Sequence, residues 1–344
     1  MKLTVYPYRL ALRHTFALAH ETRKFQPGLI VELCDGKHSG YGEASAIAYY
    51  GKKLERMLAR LQALRPLIEQ AEWDTPEAFW EQMYPHLYQT PFLQCALDEA
   101  AHDLYGKRLG KPLYEIWGLK PENLPVSNYT IGLDTLENML AKMREVPWPV
   151  YKIKLGTDHD LEIVRALRRE SDAVFRVDAN TAWTAEQAVA YAGELKTLGV
   201  EFIEQPLKPD APLEEQRFVY EQSVLPIIAD ESCQTEDDVA RCAGFFHGVN
   251  VKLMKCGGLT PARRMLRHAG NLGLKTMVGC MTESSVGISA IAQLLPLIDY
   301  VDMDGALLLK TDVASGVKLT PQGVEYPDLG GSGVVLHKER LGIL

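Results

Sequence analysis

The chain is predicted to be an α/β protein, a β/α barrel joined to a smaller α+β domain, and three observations carry that prediction. Charged residues close short apolar runs one after another: Lys152-x-Lys154, Asp178-x-Asn180, Glu204-Gln205-Pro206, Asp230-Glu231-Ser232, Lys252 and Asp302-x-Asp304. The runs themselves, residues 150–154, 174–178, 200–204, 226–230 and 248–252, have the continuous apolar character of strands buried on both faces in a parallel sheet. Their spacing is regular, with 24 residues from Lys154 to Asp178, then 26 to Glu204, 26 to Asp230 and 22 to Lys252. Each interval holds one strand, one helix and two loops. In such a barrel the C-terminal strand ends share one face, where the chemistry sits.

The first part of the chain lacks this rhythm. Residues 1–12 and 28–34 read as strands, and Asp35-Gly36 followed by Ser39-Gly40-Tyr41-Gly42-Glu43 reads as a turn into a meander. Amphipathic helices are predicted over 53–70 and over 75–87, the second opening with a threonine cap and an N1 proline at Thr75-Pro76-Glu77. A third runs from Pro91 to Leu109 and stops at Gly110-Lys111-Pro112. Residues 1–124 form the α+β domain, with Pro121 to Pro125 as its linker. The barrel spans 125–309, opening on strand 126–131 and ending with strands at 249–252, 275–278 and 300–302. The glycine-rich stretch 310–344 offers no eighth outer helix and is expected to return to the first domain.

With 344 residues, 47% hydrophobic and 24% charged, the chain suits two domains of an ordinary globular protein. A net charge of −8 argues against a nucleic-acid partner, which needs a basic face. No stretch approaches the roughly 18 apolar residues of a membrane span, and the N-terminus has no apolar signal core, so no membrane partner and a cytoplasmic location are expected. Six scattered cysteines without C-x-x-C spacing read as reduced thiols. A homo-oligomer is compatible with all of this.

The chemistry follows from residue types at one barrel mouth. Asp178, Glu204 and Asp230 on consecutive strand ends offer hard oxygen ligands suited to Mg²⁺, and three clustered acids call for a neutralising cation. Any one of them alone would read equally well as a solvated or helix-capping acid. Lys152 and Lys154 lie two apart, on one face of their strand, and mutual repulsion is expected to lower the pKa of one into the range of a usable base. Lys252 lies four strands on, across the mouth from Lys154. One lysine on either side of a carbon acid is the arrangement for removing a proton from one face and returning it to the other.

These motifs resemble the enolase superfamily, in particular its muconate-lactonising subgroup, whose pattern is Lys-x-Lys, Asp-x-Asn, Glu-x-Pro, Asp-Glu-Ser and Lys-x-x-Lys-x-Gly-Gly; the last is Lys252-Leu253-Met254-Lys255-Cys256-Gly257-Gly258 here. The resemblance covers essentially the whole chain. It implies a modified (β/α)7β barrel of the TIM type under an α+β capping domain, with Asp178, Glu204 and Asp230 on Mg²⁺ and Lys154 and Lys252 as the catalytic pair. Lys152 would support Lys154 and the bound carboxylate, and Lys255 competes with Lys252 for the second base.

Within the subgroup, Asp302-Met303-Asp304 after the eighth strand is similar to the dipeptide epimerases, whose substrate has a free α-ammonium group for these acids to bind. Cys280, Met281 and Thr282 after the seventh strand are similar as well, and Thr130 on the first strand would line the same pocket. The implied activity is epimerisation of the C-terminal residue of a small-molecule dipeptide such as L-Ala-D/L-Glu. o-Succinylbenzoate synthase or muconate-type cycloisomerase is the alternative, with a non-catalytic binding barrel behind both. In alanyl-glutamate epimerases an arginine of a mobile loop, here His14 to Phe25, holds the second residue's carboxylate; that position falls on Glu21, with Arg23 two places on.

Overall fold

A computed structural model describes the backbone of residues 1–18 and 21–341 and the side chains of 1–15 and 23–341. The chain opens with an antiparallel sheet of β1 (Lys2–Leu18), β2 (Glu21–Cys34) and β3 (Ser39–Ser45) in sequential order. Three helices cover it: α1 (Leu54–Gln70), α2 (Pro76–Leu87) and α3 (Pro91–Leu109). As the Thr75-Pro76-Glu77 signal predicts, Thr75 caps α2 through its hydroxyl, which accepts from Ala78 N at 3.3 Å. Helix α3 ends at Gly110, whose φ of 66° supplies the left-handed cap.

Helix α3 has no solvent face over most of its length, because it is wedged between the sheet and the barrel; Gln94, Asp98, Glu99, His102 and Asp103 are all buried. Its approach to β3 depends on two glycines. A Cβ at Gly40 would collide with the Ala100 carbonyl, and one at Gly42 with that of Ala96.

The barrel has eight parallel strands, each beside its sequence neighbour: β4 (Tyr129–Ile131), β5 (Val150–Lys154), β6 (Val174–Asp178), β7 (Val200–Glu204), β8 (Ile227–Ala229), β9 (Gly248–Lys252), β10 (Lys275–Gly279) and β11 (Tyr300–Asp302). Predicted strands 126–131 and 226–230 are trimmed at their ends, and the other six agree to within a residue. Side-chain bonds bridge the seam between β11 and β4. Ser127 Oγ accepts from Met303 N at 3.0 Å, Asn128 Nδ2 donates to Asp302 Oδ1 at 2.8 Å, and Thr130 N donates to Asp304 Oδ2 at 2.5 Å. A 3-10 turn, Gly305–Leu308, follows β11 in place of an outer helix. The remaining chain runs back along α3, where Asp103 Oδ1 accepts from the Ser332 backbone and hydroxyl at 2.9 and 3.0 Å.

Over residues 14–18 and 21–25 the expected loop from His14 to Phe25 is instead strand. β1 and β2 pair as far as Leu18 and Glu21, past a register shift between Ala11 and Phe16, forming a hairpin arm. Phe16, Thr22 and Phe25 are strand formers, and their pairing extends the ladder where a loop was expected. His20 and the side chain of Glu21 lie outside the described residues. Among the described residues no helix is long and apolar enough to cross a membrane.

Candidate active site at the barrel mouth

Period-two alternation sends Lys152, Glu204, Asn250 and Asp302 inward from β5, β7, β9 and β11, alternate strands that share one layer of the barrel interior. Lys152 Nζ is their hub, 2.9 Å from Glu204 Oε1 and 2.8 Å from Asp302 Oδ2, and Asn250 Nδ2 donates to Glu204 Oε1 at 2.9 Å. Beneath this polar layer Phe202, Ile228 and Met277 form an apolar plug with Tyr300 packed against it.

Above it, Asp178, Glu204 and Asp230 converge, with one oxygen from each lying within 4.8 Å of the others. All three are fully buried. Burial, then the neighbouring Asp178, pushes the Glu204 carboxyl up to about 7. Burial also opposes ionisation of Asp178 and Asp230, but the lysines beside them hold both below the usual carboxylate range. Among the described residues, Glu204 Oε2 has no partner beyond the Lys152 ion pair at 2.8 Å, and Asn180 Oδ1 at the edge of the site accepts no hydrogen bond. Hard oxygens, a carboxylate resisting ionisation and unsatisfied acceptors fit a divalent cation such as Mg²⁺ held by Asp178, Glu204 and Asp230.

Two lysines flank these acids. Lys154 Nζ donates to Asp178 Oδ2 at 2.6 Å, and Lys252 Nζ donates to Asp230 Oδ2 at 2.8 Å. Lys255 is different: its ammonium is spent on Asp230 Oδ1 at 2.7 Å, the Cys233 carbonyl at 3.0 Å and the Asp230 carbonyl, and it does not line the mouth cavity. The expectation that repulsion lowers a lysine pKa fails at Lys152. Burial works in that direction, but Asp302, Glu204, Asp178 and Asp230 outweigh it and raise the group well above the ordinary lysine value. Lys252 is raised too, with burial overcome chiefly by Asp230.

The cavity over these groups is lined by Lys154, Asp230, Lys252, Thr130, Cys280, Met281, Thr282, Asp302, Asp304 and Arg23; Lys152, Asp178 and Glu204 are fully buried and do not line it, and the side chain of Glu21 lies outside the described residues. Asp304 caps nothing with its side chain. Its carboxyl is pushed up to about 7 by burial and by Asp302, whereas Lys152 overcomes burial to hold Asp302 near about 2. Arg23 comes from the hairpin arm and donates to Thr282 Oγ1 at 2.9 Å. Ile47, Tyr49 and Tyr50, from the turn after β3, and Asn180, Glu231 and Leu308 also line the cavity, and sequence reasoning missed them. Asn180 and Glu231 stand inside quoted motifs and were findable. The two tyrosines carry no periodic signal.

The capping domain also fixes the barrel loop 280–284. Glu43 Oε2 accepts from Gly287 N at 3.2 Å and from Ser284 Oγ at 2.5 Å, and Ser45 Oγ donates to the Thr282 carbonyl at 2.9 Å.

A barrel whose mouth holds three clustered carboxylates that could hold a cation, two of them hydrogen-bonded to lysines, beside residues of a second domain, fits enzymes that move protons at carbon acids. The chain belongs to the enolase superfamily: residues 135–340 match the enolase C-terminal domain-like family and residues 1–118 the mandelate racemase/muconate lactonizing enzyme N-terminal domain. It is 53% identical over 336 residues to an L-Ala-D/L-amino acid epimerase of Flavobacterium johnsoniae, covering 98% of this chain and 100% of that one. Among solved structures it is similar to the substrate-liganded L-Ala-D/L-Glu epimerase of Bacillus subtilis, with a TM-score of 0.91, 26% identity and full coverage of both chains. The dipeptide epimerase of Enterococcus faecalis, complexed with Mg and L-Leu-L-Tyr, aligns with a TM-score of 0.89 and 30% identity over 97% of this chain and 98% of that one.

Proposed function

We propose that the protein is a Mg²⁺-dependent dipeptide epimerase that inverts the α-carbon of the C-terminal residue by two-base proton transfer. The observation that carries this reading is the pair Lys154 and Lys252, each hydrogen-bonded to a different carboxylate of the cation site and both facing one cavity. Bound by Asp178, Glu204 and Asp230, Mg²⁺ supplies positive charge against the negative charge that develops on the substrate carboxylate. Lys154 takes the α-proton from one face. Lys252, whose charged form its acidic neighbours favour, gives a proton to the other face, and the roles exchange for the reverse reaction. Lys152 adds fixed positive charge beneath the reacting carboxylate.

Asp304, with Asp302 behind it, receives the α-ammonium group of the first residue, which disfavours the synthase and cycloisomerase alternatives, whose substrates carry no ammonium. Arg23 in the lining suits an acidic second residue, and Ile47, Tyr49 and Tyr50 beside it suit bulkier ones. L-Ala-L-Glu and other L-Ala-L-Xaa dipeptides are therefore the proposed substrates, with peptides of bacterial cell-wall material, met in the cytoplasm, as their source.

The test is proton NMR in D₂O with Mg²⁺ and pooled L,L-dipeptides. Loss of the α-proton signal of the second residue with appearance of the L,D diastereomer is expected, and both Lys154→Ala and Lys252→Ala should abolish it. Absence of exchange in every dipeptide would move the protein to the ring-forming or dehydrating members of its family.

A further inference from the structure

We propose that Asn250 is the positioning residue that presents Glu204 to the cation, and that Gly279 is the gap admitting it. This rests on the cation site proposed above. Alternation on β9 puts Asn250 on the same inward face as Lys252, two residues on, and Asn250 is fully buried. Its Nδ2 donates to Glu204 Oε1 at 2.9 Å. Lys152 does not distinguish the two oxygens of Glu204, since its Nζ lies 2.9 Å from Oε1 and 2.8 Å from Oε2.

A glutamate carboxylate turns easily about its last torsion, which is broad and two-fold. With Lys152 alone the group would swing about the ammonium. Asn250 breaks the symmetry: Oε1 takes both the amide and the Lys152 ammonium, whereas Oε2 has only the Lys152 ion pair at 2.8 Å and is the less saturated oxygen for a metal. The amide cannot serve turned around, because its Oδ1 would then face a carboxylate. Oδ1 instead points where it accepts no hydrogen bond, an unsatisfied buried acceptor retained for the sake of the donor opposite.

Gly279 on β10 gives independent support. It stands in register with Lys252, and a Cβ there would lie 2.6 Å from Asn250 Oδ1, 2.8 Å from Nδ2 and 2.9 Å from Lys252 Cε. Any side chain at 279 displaces both the amide and the stem of the lysine. Because Mg²⁺ tolerates little departure from octahedral geometry, a misdirected ligand weakens binding, and loss of a residue that orients a ligand typically costs 10–100-fold in metal affinity.

The experiment is isothermal titration of the substrate-free protein with MgCl₂. Asn250→Leu, which keeps the volume and loses the donor, is expected to bind Mg²⁺ about 10-fold or more weakly, with most of its turnover recovered at saturating Mg²⁺. Gly279→Ala should lose affinity as well but not recover turnover, since Lys252 is displaced. In a Glu204→Gln background, Asn250→Leu should cost no further affinity, because the two residues act as one unit. Circular dichroism and the melting temperature of the metal-free protein separate a folding defect from a binding defect, and Asn250→Ala, which cannot overpack, replaces the leucine variant where that does not fold. A folded Asn250 variant with native Mg²⁺ affinity overturns the proposal. The titration uses no dipeptide, so a wrong reaction assignment leaves it standing, whereas a wild-type protein that binds no Mg²⁺ removes the cation site itself.

Discussion

Two aspartates two residues apart behave in opposite ways because of what each one touches. Asp302 shares its oxygens with Lys152 and Asn128 and stays ionised, near about 2. Asp304, buried beside that charge with Thr130 donating to it, is pushed up to about 7. If Asp304 receives the ammonium group as proposed, binding depends on pH through it: above about 7 the carboxylate is charged and would attract the dipeptide, and as pH falls through 7 it takes a proton and that attraction is lost. The α-amino group of the free dipeptide loses its charge near about 8, which bounds the window from the other side. The dissociation constant of a dipeptide analogue without an α-proton should pass through a minimum between these values, and in Asp304→Asn the acid limb should vanish. An acid limb that survives in the variant would assign the titration to another group.

At the scale of elements, the strand ends were legible because a barrel repeats a buried apolar run and a polar terminus at near-constant intervals, so β5, β6, β7, β9 and β11 and their charged ends follow from spacing alone. The hairpin arm was not, because the loop from His14 to Phe25 was carried over from the family resemblance and the pairing depends on β1 and β2 meeting in register. Lys255 shows a similar limit: sequence puts it beside Lys252, and only the turn after β9 sends its ammonium to the Asp230 and Cys233 carbonyls. Nor does sequence reveal that Glu43, on β3, accepts at the N-terminus of the barrel helix Ser285–Ala292. Tyr8, buried in the sheet, donates to the same carboxylate at 2.5 Å. Removing Glu43 strands several buried donors at once, each costing about 1–3 kcal/mol unless water enters. Glu43→Ala is expected to lower unfolding free energy by about 3 kcal/mol in urea titrations. The dipeptide KM should rise with it, because loop 280–284 loses its anchor; a normal KM would show that Ser45 and Arg23 hold the loop unaided.

For the whole molecule, the junction where α3 joins the capping sheet to the barrel buries groups whose contributions to stability change with pH in opposite directions. His102 is buried there, its Nε2 3.1 Å from Thr260 Oγ1, and Thr260 in turn donates from its hydroxyl to Asp98 Oδ1 at 2.7 Å. The hydroxyl proton is thus committed to Asp98, so Nε2 is the donor to Thr260 and the ring is neutral. Burial, with Arg263 nearby, lowers the His102 pKa from 6.5 to about 3. A histidine depressed in the folded state binds its proton more readily when unfolded. Its contribution is fully present above about 6.5 and is lost as pH falls toward 3, at up to about 1.4 kcal/mol per pH unit. Asp98 acts in the other direction, since burial pushes it up to about 7 and the folded form takes up its proton first. Comparing wild type with His102→Gln isolates the histidine. Between pH 6.5 and 4 the variant should lose stability less steeply than wild type, whatever its stability at pH 7. An equal slope would mean that His102 carries no depressed pKa, and a steeper one that the ring is charged in the folded protein and paired with Asp98, 3.7 Å away.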